Sequence, residues 1–297
     1  MKLLLFGRDG QVGRALQRTL PALGELVALG RDEADFAKPD SLSGLIAAAR
    51  PDVIVNCAAY TAVDAAEDDR ERAWTINAGA VGRLGEAARR IGAMVVHYST
   101  DYVFDGTALG QQSESTPTSP LSVYGASKLA GEALLRESGA DHLILRTSWV
   151  YAPRGRNFPL TILRLAGERD SLDVVADQIG APTPAALIAD VTAAAIGQVL
   201  ADRGKLGLYH LAPTGETSWY DLARYLVAAA TAHGARLRLA PQAIRPIPTS
   251  QYPAKAQRPA NSRLDTGKLR AAFGINLPAW QAGILELIST LKSEGQL

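Results

Sequence analysis

Short, almost wholly apolar runs alternate with longer stretches in which apolar residues recur every three to four positions. The runs LLLFG (3–7), LVALG (26–30), DVIVNCA (52–58), MVVHYST (94–100) and HLILRTSWV (142–150) predict strands buried on both faces. Between them, VGRALQRTL, SLSGLIAAAR, a long stretch from about Glu71 to Arg90 and VYGASKLAGEALLRE carry the helical period. Strand–helix repetition of this kind predicts an α/β fold built on a doubly wound parallel sheet. The pattern holds to about residue 150 and then turns irregular. A helix and strand, AALIADVTAAAIGQVLADRG and LGLYHLA, come next, followed by the proline-punctuated RPIPTSQYPAKAQRPANS and two short helical patterns.

The first strand runs into GRDGQVG, which sets Gly7, Gly10 and Gly13 at the mouth of the first helix. Glycines there allow a tight turn and let backbone approach a pyrophosphate, which a helix N-terminus attracts. Spacing alone is weak evidence, because Gly79, Gly82 and Gly85 repeat it. That second set has no strand before it and reads as helix packing. Residues 1–150 are therefore expected to form a Rossmann-like dinucleotide-binding domain. Residues 151–297 would form a smaller C-terminal α/β substrate-binding lobe, with 183–212 returning to the first domain. The second strand ends ALGRDEADF, so Gly30 and Arg31 stand where an acid often bonds the adenosine ribose, and Asp32 follows. A guanidinium without that acid suits a 2′-phosphate, favouring NADPH, with NADH as the alternative.

Ser99, Thr100 and Asp101 close the fourth strand, where a parallel sheet opens toward its ligands. Tyr124 and Lys128 lie one helical turn apart in the next helix. Together they form a Ser/Thr–Tyr–Lys set suited to ketone reduction. Thr100 would polarise the carbonyl and Tyr124 would donate the proton. Lys128 would lower the phenol's pKa and hold the nicotinamide ribose.

Composition narrows the classes. Thirty-one basic against thirty acidic side chains leave a formal charge of +1, which gives no support for a nucleic-acid partner. No apolar stretch approaches a membrane span, and the opening apolar run is too short for a signal segment. Cys57 is the only cysteine, so no internal disulfide forms; it reads as a small buried residue and suggests the cytoplasm. His97, His142, His210 and His233 show no metal-ligand spacing and read as packed or surface residues.

The blocks LLLFGRDGQVGRALQ, RPDVIVNCAAYTAVDAAE, VVHYSTDYVFDG, PLSVYGASKLAGE, RTSWVY, DQIGAPT and RPANSRLDTGKL span nearly the whole chain. On them the chain resembles the extended short-chain dehydrogenase/reductases, and within these the dTDP-4-dehydrorhamnose reductase family. The resemblance implies reduction of the C4 keto group of a dTDP-linked 4-keto-6-deoxysugar, giving dTDP-β-L-rhamnose for cell-surface polysaccharide. It further implies that Gly10, Gln11 and Val12 line the pyrophosphate, and that Asp35 and Phe36 approach the adenine. Ala58, Ala59 and Tyr60 would border the cofactor. Thr100 and Asp101 would face the sugar, Trp149 would form an apolar wall, and Asn157, Gln178 and Arg258 would meet the nucleotide diphosphate. Some members dimerise around magnesium held by carboxylates; the matching positions here are Ala15 and Ala186, with Glu286 remaining. No structural metal is therefore expected, and the chain should be a monomer or weak homodimer. Another nucleotide-sugar ketoreductase or epimerase, or a non-catalytic NADP-binding regulatory subunit, stays open as an alternative.

Overall fold

The apolar runs at 3–6, 53–56 and 94–100 are buried on both faces, whereas the run read at 26–30 forms an edge of the sheet and stays part-exposed. The computed structural model describes residues 1–297. Its central sheet holds β1 (Lys2–Phe6), β2 (Glu25–Leu29), β3 (Val53–Asn56), β4 (Met94–Thr100), β5 (His142–Thr147) and β6 (Gly207–His210). All six are parallel, in the spatial order β6-β5-β4-β3-β1-β2. Leu3, Leu5, Val55, Val96 and Leu145 point to one face, under α1 (Gln11–Thr19). Leu4, Phe6, Ile54, Val95 and Ile144 point to the other, under α2 (Pro39–Ala49) and α3 (Ala80–Ile91). Each fully buried Leu, Ile or Val of this kind contributes about 1.5–3 kcal/mol.

The next helix, α4 (Val123–Glu137), starts where the Ser122 hydroxyl accepts the Gly125 N–H at 3.2 Å. On its buried side Lys128 and Glu132 continue the row begun by Tyr124. After β5 the chain builds a separate core. Leu163, Leu222, Leu226, Trp280, Ile284 and Ile288 meet there, on the helices Phe158–Glu168, Trp219–Ala232 and Trp280–Ser293. Between the first two of these helices, α5 (Ala185–Ala201) and β6 go back to the sheet. α5 packs beside α1 over the first face, and β6 pairs with β5. No helix is long and apolar enough to cross a membrane.

Three elements differ from the sequence reading. The strand read as 52–58 stops at Asn56, whose side-chain oxygen takes the Ala58 N–H at 3.0 Å and turns the backbone. The strand read to residue 150 stops at Thr147, before Trp149 adopts a left-handed φ of 49°. The long helix is Arg70–Trp74, a π-type turn over Thr75–Gly79 and then α3. Buried Asn77 in that turn bonds the Tyr60 backbone at both N and O and the Ser127 hydroxyl, fixing the loop after β3 to α4. As for the second glycine set, a β-carbon at Gly82 would sit 3.2 Å from Leu134, so close α3–α4 packing accounts for that position.

Candidate active site

Backbone presses on backbone at the C-terminal ends of β1 and β3. Gly7 has φ 81°, and a β-carbon there would lie 2.8 Å from Ala58 N. A β-carbon at Gly13 would overlap the Gly7 carbonyl oxygen. Gly10 donates its N–H to Gly7 O at 3.1 Å, closing the turn, and leads into α1. A cavity of about 490 Å³ opens above it, bordered by Gly7, Gly10, Arg31, Asp35, Phe36, Ala58, Ala59 and Tyr60. Cys57, expected to be buried, also borders it. Phe36 is largely committed to the core, edge-on to Phe6 at 5.4 Å. Gln11 and Val12 occupy the first turn of α1. This side-chain-free cradle fits a dinucleotide pyrophosphate. Gly13→Ala must push the turn apart at a cost of about 1–3 kcal/mol. It is expected to weaken NADPH binding roughly ten- to hundredfold, read by fluorescence titration; unchanged affinity would remove the cradle from the site.

The end of β2 is less free of acid than its sequence suggests. Glu33 folds back so that its carboxylate accepts the Gly30 N–H at 2.8 Å, and this bond holds its carboxyl below the usual range. Arg8, a residue without any signal in the strand–helix pattern, reaches from the glycine turn to bond Glu33 and Ala28 O, each at 3.0 Å. Arg31 stays exposed, 4.0 Å from Asp35. Arg31 thus borders the cavity, while Arg8 holds Glu33 beside Gly30.

At the reaction end, the Thr100 hydroxyl donates to Asp101 at 3.1 Å and accepts the Tyr102 N–H at 3.1 Å. Asp101 is buried rather than facing open space. Burial raises its carboxyl to about 6, against hydrogen bonds from Ser262 and Thr100. Tyr124 is half-buried, with its ring edge-on to Tyr102 at 5.5 Å. Lys128 is not among the groups that set the Tyr124 pKa in this cofactor-free structure. Burial pushes the phenol up to about 12, a hydrogen bond to Thr100 pulls the other way, and the Asp101 charge adds to the rise. Lys128 does share the helix face, but it is buried and its Nζ lies 3.2 Å from His97 Nε2.

On the substrate side, Trp149 stacks on Trp219 with centroids 3.5 Å apart and 14° between planes, and it covers Gly180. A left-handed backbone is costly for so bulky a residue and is held here by that stack. The other three proposed diphosphate partners have protein partners instead. Asn157 caps the helix Phe158–Glu168, accepting the Leu160 N–H, and donates to Gln11 Oε1 at 2.8 Å. Gln178 accepts from the Trp219 indole and donates to Thr249. Arg258 pairs with Asp64 at 2.7 Å. Ala15, Ala186 and Glu286 do converge, on a separate cavity of about 450 Å³. Two methyl groups, the Glu286 carboxylate and a Glu294 already paired with Arg154 do not fit a hard cation. No group of three His, Cys, Asp or Glu side chains is placed to hold a metal ion.

A family model described as RmlD substrate binding domain matches residues 1–293. A dTDP-4-dehydrorhamnose reductase of Burkholderia thailandensis is 49% identical, covering 99% of this chain and 100% of that protein. One from Escherichia coli K12 is 48% identical over 98% of each. The crystal structure of a dTDP-4-dehydrorhamnose reductase from Bacillus anthracis in complex with NADP is similar at a TM-score of 0.89 and 32% identity. It covers 97% of this chain and 99% of that one.

Proposed function

From the premise that the chain belongs to the dTDP-4-dehydrorhamnose reductase family, we propose that it reduces the C4 keto group of dTDP-4-dehydro-β-L-rhamnose to give dTDP-β-L-rhamnose. It is an NADPH-dependent oxidoreductase of dTDP-rhamnose biosynthesis, with cell-surface polysaccharide as the destination of the product. The observation that carries the assignment of roles is the opening of the glycine cradle at the same end of the sheet as Thr100, with Tyr124 and Lys128 on the adjoining helix.

NADPH, when bound, supplies the hydride that adds to C4. Gly7, Gly10, Gln11, Val12 and Gly13 hold its pyrophosphate, Arg31 and Arg8 favour its 2′-phosphate, and Lys128 holds the nicotinamide ribose. Thr100 turns its hydroxyl from Asp101 to the sugar oxygen. Tyr124 donates the phenolic proton to the C4 oxygen as negative charge builds there. A phenol near 12 suits that direction: it remains protonated at neutral pH, and an alkoxide is basic enough to take the proton. The Trp149–Trp219 stack supplies an apolar wall for the deoxysugar. Asp101 acts by orienting Thr100. Asn157 acts through Gln11, while Gln178 and Arg258 shape the diphosphate end through Trp219 and Asp64. The enzyme works as a monomer or weak homodimer in the cytoplasm, where its reductant and nucleotide sugar are available.

An NADPH-oxidation assay against a panel of dTDP-linked 4-keto-6-deoxysugars tests the reading. Turnover is expected with dTDP-4-dehydro-β-L-rhamnose and no added protein. Silence with that sugar and turnover with another would reassign the substrate. Silence with all would favour a regulatory role.

A further inference from the structure

His97 sits in the middle of β4 with no exposed surface, its imidazole held between two side chains. Nδ1 is 3.1 Å from Asn56 Nδ2, and Nε2 is 3.2 Å from Lys128 Nζ. The orientation of Asn56 follows from its other bond. Its Oδ1 accepts the Ala58 N–H at 3.0 Å, so the amide nitrogen is the atom facing the ring. An amide NH₂ can only donate, which makes Nδ1 the acceptor. The single proton of a neutral imidazole then lies on Nε2 and points at Lys128. An ammonium has three N–H groups and no lone pair, so a charged Lys128 would leave two donors face to face. A neutral amine accepts the Nε2–H instead.

We propose that His97, with its tautomer locked by Asn56, is a positioning residue that parks Lys128 as a neutral amine in the cofactor-free enzyme, and that cofactor binding draws Lys128 off His97 with uptake of one proton from solvent. In the parked state the Nε2–H of His97 donates to the lone pair of Nζ. In the released state that lone pair has bound a proton, and the ammonium turns to the ribose hydroxyls. No other bond forms or breaks.

The surroundings press the same way. Burial drives Lys128 down to about 8, against the Glu132 carboxylate one turn along α4 and the Cys57 thiol just past β3, which both raise it. Glu132 is already engaged by Arg146 of β5. Tyr124, one turn back, stays a neutral phenol. His97 is held well below its ordinary value by burial, so an imidazolium does not compete. The parked amine is therefore the majority form above about pH 8.

The proposal rests on the reading of Lys128 as the ribose-binding lysine, and the tests separate the two. In ligand-free wild-type enzyme at about pH 9, above the Lys128 value of about 8, nitrogen NMR of labelled histidine, assigned through backbone connectivity, is expected to show His97 neutral and protonated on Nε2. Protonation on Nδ1 would mean an ammonium donates to Nε2, which overturns the proposal whatever the reductase assay reports. Calorimetry of NADP⁺ binding at about pH 9, in buffers of differing ionisation enthalpy, is expected to show net uptake approaching one proton. His97→Gln offers a carboxamide oxygen to the ammonium and should abolish that uptake and move the inflection in NADP⁺ affinity up by about one pH unit or more. Uptake that is absent in the wild type, or unchanged in a folded His97→Gln variant, overturns the idea. If that variant does not fold, the wild-type measurements decide alone.

Discussion

Tyr124→Phe is expected to lower kcat by about 10²–10⁴-fold and to leave NADPH affinity within roughly twofold of the parent. The substitution deletes a single oxygen. The ring keeps its edge-on contact with Tyr102 at 5.5 Å, and Lys128 and His97 are left untouched, so neither the helix nor cofactor binding is expected to be disturbed. What disappears is the proton for the C4 oxygen. Hydride addition without it must leave a bare alkoxide or wait for water. Steady-state NADPH oxidation together with fluorescence titration of the cofactor separates the two effects. Turnover within tenfold of the parent would move the acid elsewhere, and Thr100 would be the first place to look. Because the phenol stays protonated well above neutral pH, the reduction rate should not fall at mildly alkaline pH through loss of this group.

The largest expected loss of stability comes from Glu132→Ala. Glu132 is fully buried and its two oxygens take Arg146 Nε at 2.8 Å and Nη2 at 2.7 Å. Arg146 is also buried and lies 5.2 Å over the Phe104 ring. Removing the carboxylate strands a guanidinium in the core, at a cost of about 3–5 kcal/mol, readable by urea denaturation. The exposed pair Arg164–Glu168, at 2.9 Å, supplies the contrast, since breaking it should cost under about 0.5 kcal/mol. Replacing both buried partners, Glu132→Leu with Arg146→Met, should be less damaging than Glu132→Ala alone, because no unpaired charge remains. If Glu132→Ala were as mild as the surface variant, the core pair would not be holding α4 against β5.

Strands buried on both faces are legible because nothing polar interrupts Leu3 to Phe6 or Val53 to Val55. Their ends are less so. Asn56 and Trp149 stop their strands through a side-chain bond and a backbone twist that periodicity does not record. Glycine spacing is legible but ambiguous, and the preceding strand is what separates Gly7, Gly10 and Gly13 from the set inside α3. Contacts between residues distant along the chain leave no local trace. His97 reads as one polar residue in an apolar strand until the fold brings Asn56 and Lys128 to it. Trp149 gains meaning from Trp219, and Glu33 restores the carboxylate that Gly30 lacks. The i, i+4 spacing correctly puts Tyr124 and Lys128 on one face. It says nothing of where the ammonium points, and burial raises the phenol's pKa where the bare pair suggested a fall.

The return of α5 and β6 to the sheet governs how this enzyme can be divided. The chain passes between its two halves more than once, since it leaves after β5, comes back through α5 and β6, and leaves again. A single recombination junction near residue 150 would therefore not transplant a substrate lobe. It would also carry a foreign α5 and β6 into the sheet, so β5 and α1 would have to pair and pack with a relative's residues. Exchange of sugar specificity between relatives needs junctions that leave with the sheet both α5–β6 and the helix Gly267–Phe273, whose Leu269 and Phe273 join the same core.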